Sequence, residues 1–398
     1  MLLELDMIQA TALAVVVLLV GQMVRKKVDF LEKFCIPAPV IGGLIFAILA
    51  LILKMTGVLE LNMDGTLKKV LMTAFFTTVG FTASFKLLKK GGAQVFMFLG
   101  IATILVCLQN VLGFSLAKVF GLNELLGLAT GSTPMTGGHG TSGAFAPLFE
   151  KAGATGATTV AMASATFGLI CGSMLGGPIA KKLIEKHKLT PSTSSKANTG
   201  NTEAFEVETS NELIPANFSA AAMQIIVAMG IGTVLSTLLQ KTGMTFPAYI
   251  GAMFAAAIMR NISDASDSFK IVNKEIDILG NISLSLFLAM ALMGLKLWQL
   301  ADLAVPMLVM LVAQGVLMAF FAYFVTFNVM GRDYTAAVLA GGHCGFGMGA
   351  TPNAIANMEA ISGKYGPAPT AFFVIPLVGS LFIDFFNAGI ITFFMNLV

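Results

Sequence analysis

The sequence predicts an all-α polytopic membrane protein with two inverted-topology repeats, each made of five transmembrane helices and one re-entrant hairpin. Three observations lead to this fold class: the composition, a series of apolar blocks, and two glycine-rich runs about half a chain apart. The 398 residues are 56% hydrophobic and 11% charged, with a mean hydropathy of +0.85, whereas soluble domains carry about 25% charged residues. Most of the chain is therefore expected to lie in lipid.

The composition also excludes several functional classes. A net charge of +3 with dispersed Lys and Arg does not form a nucleic-acid surface. The four cysteines are far apart and show neither a disulfide framework nor a zinc spacing. The sequence lacks the Gly-x-x-x-x-Gly-Lys-Ser/Thr motif that binds ATP, so any transport would draw on an ion gradient.

Ten apolar blocks approach or exceed the ~20 residues that one crossing requires. They cover 6–24, 36–53, 69–86, 93–118, 155–180, 217–240, 246–260, 277–295, 303–329 and 368–396. The first block lacks a basic segment before it, so it is expected to be a retained span rather than a cleaved signal peptide. A polar, low-complexity stretch interrupts the series. It predicts a first repeat over 1–180, a cytoplasmic linker over 181–216 and a second repeat over 217–398.

The basic residues predict the orientation of the spans. With the N-terminus outside, the predicted cytoplasmic loops contain 17 of the 24 Lys and Arg residues, as the positive-inside rule requires. Both termini are then expected to be periplasmic. Because each half has an odd number of crossings, the second half enters the membrane with the opposite orientation.

A comparison of the two halves indicates internal repetition. A shift of 208 to 210 residues superposes Gly121 on Gly331, Gly131 on Gly341, and further pairs along most of the repeat. The Gly-Gly-His triplets at 137–139 and 341–343 are 204 residues apart and fall outside this register. The offset favours different roles for the two histidines.

The two glycine-rich runs, 131–144 and 341–354, predict hairpins over about 124–147 and 334–357. Irregular backbone of this kind cannot face lipid, because each unpaired N–H or C=O group costs several kcal/mol. Close packing of helices through glycine is the alternative, but the runs also contain Ser, Thr, Asn and His. Two such segments in matching halves indicate the binding site of a transporter.

An anionic substrate would depend on these hairpins. The only arginines, Arg25, Arg260 and Arg332, fall at predicted cytoplasmic ends of spans. The N-terminus of a broken helix offers N–H groups with about half a positive charge, and free carbonyls suit Na⁺. The candidate substrate-binding residues are Ser132, Thr133, Thr136, Gly137, Gly138, His139, Thr141, Gly345, Gly347, Thr351 and Asn353.

Asp384 lies in the middle of the last apolar block, where a carboxylate costs at least ~2.5 kcal/mol. Asn387 follows three positions later, and the pair would offer oxygens to Na⁺ or to the ammonium group of an amino acid. The alternative is a structural hydrogen bond. For His139 and His343, proton transfer and a neutral hydrogen-bonding role both remain open, and Asn281 is expected to pack or cap.

Three sequence motifs carry a resemblance to a known family. They are Gly-Gly-His-Gly-Thr at 137–141, the run Ser-Leu-Ser-Leu-Phe-Leu-Ala-Met-Ala-Leu-Met-Gly-Leu-Lys-Leu-Trp at 283–298, and Gly-Gly-His-Cys-Gly-Phe-Gly at 341–347 followed by Gly-Ala-Thr-Pro. With them the chain resembles the bacterial sodium/glutamate symporter family over nearly all its length. The resemblance implies Na⁺-coupled uptake of L-glutamate through the inner membrane by a homodimer. The family usually has Ser where this chain has Thr136.

Without the resemblance, the residues support an inverted-repeat secondary transporter with a site suited to carboxylates. A symporter for citrate or malate built in the same way is the main alternative, and an ion channel is another. An enzyme is not expected, because no nucleophile, base and orienting group cluster near the hairpins.

Overall fold

The computed structural model describes residues 2–191, 215–241, 247–266, 269–300 and 303–398. The elements of the first half are β1 Leu2–Leu5, α1 Met7–Lys27, α2 Asp29–Lys33, α3 Ala38–Met55, β2 Glu60–Met63, α4 Thr66–Thr82, α5 Phe85–Lys90, α6 Gly92–Val119, α7 Glu124–Leu128, α8 Ser132–Met135, α9 Gly138–Lys151 and α10 Ala157–His187. Helix α10 runs past residue 180, where the sequence placed the start of the linker. The linker segment 192–214 lies outside the described residues.

The second half contains a similar series of helices. They are α11 Pro215–Gln240, α12 Ala248–Ser266, α13 Asn273–Met293, a 3₁₀ turn Leu297–Leu300, α14 Ala304–Phe320, a π-helical turn Phe321–Thr326, α15 Phe327–Val329, α16 Tyr334–Gly347, α17 Thr351–Tyr365, α18 Pro369–Pro376, a second π-helical turn Leu377–Phe382, and α19 Ile383–Met395. The segments α14 to α15 and α18 to α19 each form one continuous span.

Eight helices of the described chain are long and apolar enough to cross a membrane, which makes this a multi-pass membrane protein. They are α1, α3, α6, α10, α11, α13, the α14 to α15 span and the α18 to α19 span. Two further helices occupy predicted spans. Helix α4 is slightly shorter, with 17 residues, and α12 carries Arg260 and Asp264 near its end.

One feature departs from the predicted all-helical chain. Strand β1 pairs in parallel with β2, with Leu2 opposite Glu60 and Leu5 opposite Met63. Each strand has only four residues, too few for a period of two to stand out in an apolar sequence. The chain then enters α1 through Asp6, whose carboxylate accepts the backbone N–H groups of Ile8 and Gln9 at 2.8 Å, as in a capping box.

Each hairpin begins with the same local chemistry. Gly121 and Gly331, which the shift of the two halves superposes, both have positive φ angles of 65° and 113°. Such angles suit glycine, which has no Cβ. Each glycine is followed by a side chain that caps the next helix: Asn123 accepts the N–H of Leu125 at 2.9 Å, and Asp333 accepts that of Ala336 at 2.7 Å. The chain therefore turns sharply before α7 and again before α16.

The helices form two bundles. Helices α1, α3, α4, α11, α12 and α13 pack mainly against one another and form the first bundle. The second bundle consists of α6, α10, α14, the last span, the first hairpin (α7 to α9) and the second hairpin (α16 and α17). In the first bundle, backbones meet at Gly21 against Gly42 and at Gly232 against Gly251, where a Cβ would collide with the facing backbone.

Candidate functional site

A cavity of about 560 Å³ lies between the two bundles. The first bundle contributes α4 and α13 to its wall. The second bundle contributes both hairpin tips, α10 and the last span. The polar and charged residues on the wall are Thr78, Thr82, Thr136, His139, Thr141, Asp277, Asn281, Thr351, Ser380 and Asp384. No Lys or Arg of the described chain lines this cavity.

The tip of the first hairpin is a break between α8 and α9. Residues 136–141 form part of the cavity wall, so Thr136, Gly137, Gly138, His139 and Thr141 lie where the sequence predicted a site. Gly138 has a φ of +60°, and a Cβ there would lie 3.3 Å from the carbonyl oxygen of Gly349. The break thus depends on glycine, and it brings the two hairpin tips into contact.

The tip of the second hairpin is the short break between α16 and α17. Gly349, Ala350, Thr351 and Pro352 line the cavity. Pro352 lies in the first turn of α17, where the missing N–H costs no intrahelical hydrogen bond. Helices α9 and α17 therefore both begin at the cavity, and each N-terminus contributes roughly half a positive charge.

The last span carries a charge to the same cavity. Its π-helical turn follows Pro376, and the carbonyl of Leu381 accepts a hydrogen bond from the Thr82 hydroxyl of α4 at 3.2 Å. Asp384 follows in the first turn of α19 and lines the cavity. Among the described residues, Asp384 has no ion-pair partner. A mid-membrane carboxylate without a protein cation is suited to a cation from solution.

Several predicted residues instead hold the second bundle together. Ser132 donates its hydroxyl to the amide oxygen of Asn387 at 2.7 Å, and the Asn387 amide nitrogen donates to the Ser132 carbonyl at 3.2 Å. Asn110 of α6 accepts the Ser132 N–H at 2.9 Å. All three side chains are fully buried. This network fixes the first hairpin to α6 and to the last span, away from the cavity.

The predicted groups of the second hairpin are also engaged. Asn353 is fully buried and donates to the Leu169 carbonyl of α10 at 3.0 Å. The Gly345 carbonyl accepts the N–H of Ala350 at 3.1 Å, and the Gly347 carbonyl accepts the side-chain amide of Gln109 at 2.7 Å. The backbone carbonyl oxygens of Gly345 and Gly347 therefore already have protein donors.

Thr133 in the first hairpin behaves differently. Its hydroxyl is buried and has no hydrogen-bond partner among the described residues. Thr133 does not line the cavity.

The two histidines occupy unlike positions. His139 lines the cavity, and its Nε2 lies 3.0 Å from the Thr166 hydroxyl. The same Thr166 hydroxyl lies 3.1 Å from the Met162 carbonyl. His343 is fully buried beside Phe346, with its Nδ1 2.8 Å from the Thr326 hydroxyl. It lies outside the cavity.

Sequence reasoning missed part of the first bundle's wall. Asp277 and Asn281 lie four residues apart on α13 and face the cavity together, although Asn281 was expected only to pack or cap. Polar residues at positions i and i+4 on an apolar helix share one face, which is the signal that could have revealed them. Among the described residues, no group of three His, Cys, Asp or Glu side chains forms a metal cluster.

Sequence comparisons match known proteins over nearly the whole chain. A sequence model of the sodium/glutamate symporter family matches residues 3–367. A sodium/glutamate symporter of Escherichia coli (strain K12) is 43% identical over 396 residues, covering 99% of this chain and 98% of the relative. One from Haemophilus influenzae is 41% identical over 385 residues, covering 96% and 95%. A sodium proton antiporter structure from Methanocaldococcus jannaschii aligns with 16% identity and a TM-score of 0.44, covering 98% of this chain and 96% of that chain.

Proposed function

The chain belongs to the sodium/glutamate symporter family, and from this premise we propose that it carries L-glutamate into the cell together with Na⁺. The family is one of transporters rather than enzymes, and Na⁺ is a co-transported substrate rather than a cofactor. The observation that carries the proposal is the cavity at which two helix N-termini and one unpaired mid-membrane carboxylate meet. Its volume is in the usual range for small-molecule sites, about 300 to 1,000 Å³.

The substrate carboxylates are assigned to the hairpin tips. Glutamate has two carboxylates and one ammonium group, and the wall offers two helix N-termini but no Lys or Arg among its described residues. Helix N-termini bind anions through their free N–H groups. We assign the carboxylates to the backbone at Gly137 and Gly138 and to the hydroxyls of Thr141 and Thr351, whereas the Thr136 hydroxyl donates to Gln109 of α6 at 2.8 Å. His139 completes this wall as a neutral hydrogen-bonding group.

The remaining predicted residues support these ligands. Ser132, Gly345, Gly347 and Asn353 lie behind the tips and are assigned to holding the two hairpins in shape.

Asp384 is assigned to the cation, either as a Na⁺ ligand or as the partner of the substrate ammonium. A hard cation such as Na⁺ prefers carboxylate, carbonyl and hydroxyl oxygens, as Ca²⁺ does. Thr351 and Ser380 contribute hydroxyls to the same cavity wall. Asn387 supports this site indirectly, because its amide ties α19 to Ser132 in the first hairpin.

The architecture we propose has ten crossings in two inverted repeats, 1–180 and 217–398, joined by a cytoplasmic segment near 181–216. The recurring glycine contacts, Gly21 with Gly42 and Gly232 with Gly251, and the matched turns before each hairpin support it. With the positive-inside orientation both termini are periplasmic in the inner membrane. From the family resemblance we further propose that the protein is a homodimer.

The bundles suggest how access alternates. The cavity wall reaches Cys35, Thr82 and Asp277, which lie at helix ends assigned to the cytoplasmic side. On the opposite side Tyr249 of the first bundle packs against Phe145 of the first hairpin, with ring centroids 5.5 Å apart. We propose that this conformation faces the cytoplasm, and that movement of the second bundle against the first exposes the site to the periplasm.

Uptake into proteoliposomes tests the function. The purified protein is given labelled L-glutamate with an inward Na⁺ gradient, and K⁺ replaces Na⁺ in the control. Accumulation that needs Na⁺ and is unaffected by excess citrate or malate is the expected result. Accumulation of citrate or malate in place of glutamate would establish the alternative substrate, and ionic currents without accumulation would establish a channel.

A further inference from the structure

Gln109 contacts both hairpins at once. It lies in the middle of α6, fully buried, and it is not part of the cavity wall. Its amide nitrogen donates to the carbonyl of Gly347, the last residue of α16, at 2.7 Å. Its amide oxygen accepts the hydroxyl of Thr136, at the end of α8, at 2.8 Å. One side chain therefore joins the two helix ends that stop at the cavity.

The chemistry of the partners fixes the orientation of this amide. The Gly347 carbonyl can only accept a hydrogen bond, so the nitrogen must face it, and the Thr136 hydroxyl then donates to the oxygen. A rotated amide would place two acceptor oxygens together. Gln314 of α14, also fully buried, donates its own amide to the Gln109 backbone carbonyl at 2.8 Å. Helix α14 therefore also contacts Gln109 and helps to fix its position.

The bridge lies directly behind the cavity wall. Thr136 itself lines the cavity, and Gly349 and Ala350 follow Gly347 by two and three residues. At the surface the tips meet where Gly138 approaches the Gly349 carbonyl. The spacing between the starts of α9 and α17 therefore depends on a contact at the surface, on the Gln109 amide behind it, and on the Thr136 hydroxyl, which also lies 3.4 Å from the Gly347 carbonyl.

We propose that Gln109 is a positioning residue that couples the two hairpin tips and thereby sets the affinity for substrate and Na⁺. This inference rests on the proposed symport, since the tips are taken to hold both solutes. A glycine-rich break has little intrinsic rigidity, so the geometry of each tip must come from its partners. Because the Gln109 amide is hydrogen-bonded at both breaks, the distance between the two hairpin tips stays the same as the second bundle moves.

Transport kinetics of a double-mutant cycle test the coupling. Gln109→Leu removes both hydrogen bonds and should raise the KM for glutamate and for Na⁺ about tenfold, with a smaller change in kcat. Thr136→Val removes one end of the bridge, and adding it to Gln109→Leu should cost no more than Gln109→Leu alone, because coupled residues are not additive. Gln109→Glu should not rescue, since an oxygen then faces the Gly347 carbonyl. Thr103→Val is the matched control on α6, because within the described residues its hydroxyl bonds only to the Leu99 carbonyl.

A second readout does not depend on transport. In hydrogen exchange, Gln109→Leu should increase the exchange of backbone amides at both breaks, near residues 136–138 and 348–350, whereas Thr103→Val should leave them protected. Wild-type KM values together with unchanged exchange in Gln109→Leu would overturn the coupling. If Gln109→Leu does not fold, the same exchange measurement is made on Gln109→Asn, whose side chain stays polar but is one methylene too short to reach both partners. Wild-type exchange at both breaks in Gln109→Asn would overturn the proposal. Wild-type protein without Na⁺-dependent uptake would instead refute the proposed function.

Discussion

Asp384→Asn is the most informative single substitution, because it removes the charge on the second-bundle side of the cavity and keeps the side chain's shape. The structure shows this carboxylate at the cavity wall without an ion-pair partner among the described residues. Two opposite unit charges about 4 Å apart attract each other by about 4 kcal/mol at an effective dielectric constant of about 20. Asparagine still offers an oxygen dipole, so we expect a net loss of about half, or ~2 kcal/mol.

That loss corresponds to an increase of about 30-fold in the Na⁺ concentration for half-maximal uptake, since each ~1.4 kcal/mol is tenfold. The folding free energy should change in the opposite direction. A carboxylate at this depth costs about 2.5 to 3.5 kcal/mol, so the asparagine variant should be at least as stable to heat as wild type. A defect in Na⁺ dependence with retained or raised Tm separates a functional role from a structural one.

The assay is the initial rate of glutamate uptake as Na⁺ is varied, with ionic strength held constant by choline. Asp277→Asn is the matched control: it removes the same charge from the same cavity, but Asp277 is exposed, so solvent screens its charge. We expect a change below about threefold there. If Asp384→Asn keeps the wild-type Na⁺ dependence, the cation does not bind at this residue and the electrostatic reasoning fails.

Three further predictions address the hairpin tips and the open side of the cavity. Gly138→Ala should raise the KM for glutamate, because a Cβ at φ +60° costs about 1 to 2 kcal/mol and crowds the Gly349 carbonyl. Uptake kinetics measure this KM. An unchanged KM would mean that the break between α8 and α9 does not contact substrate. Thr351→Val should also raise that KM while leaving the yield of folded protein unchanged, measured with the same assay and by gel filtration. The third prediction uses a variant whose only cysteine is Cys35, which lines the cavity. A membrane-impermeant maleimide should label Cys35 in inside-out vesicles, and it should do so more slowly when glutamate and Na⁺ are present. Labelling of Cys35 only in right-side-out vesicles would reverse the orientation.

The sequence predicts the membrane-spanning helices well, and the reason is local. Apolar blocks of spanning length have few alternatives in lipid, and glycine clusters with an Asn or Asp cap mark where a helix must end and restart. Gly121 and Gly331 illustrate this, because both adopt the positive φ that their position next to a cap suggests. The short β1 and β2 pair escapes such reasoning, because four residues carry too little pattern.

The direction of each polar side chain is harder to predict. Ser132 and Thr136 stand four residues apart, as on one helical face, yet Ser132 bonds to Asn387 inside the bundle and Thr136 reaches the cavity. The chain between them is the single helical turn α8, and in so short an element a shared face does not decide whether a side chain meets the bundle or the cavity. Asp384 and Asn387 lie three residues apart, about 60° around the helix. At the boundary between a bundle and a cavity, that angle separates a wall residue from a buried one.

The site also breaks the symmetry of the proposed repeats. Helix α10 ends the first repeat as one continuous helix with Gly168, Gly172 and Gly176 on one face, where a Cβ would meet the backbone carbonyls of α16 or Met348. The last span occupies the equivalent place in the second repeat, but it has a π-helical turn and then Asp384. One helix therefore fixes the second hairpin by close packing, and its counterpart supplies the charge. A symmetric pair of carboxylates at this depth would repel each other, and this repulsion favours the division of roles at the proposed cation site.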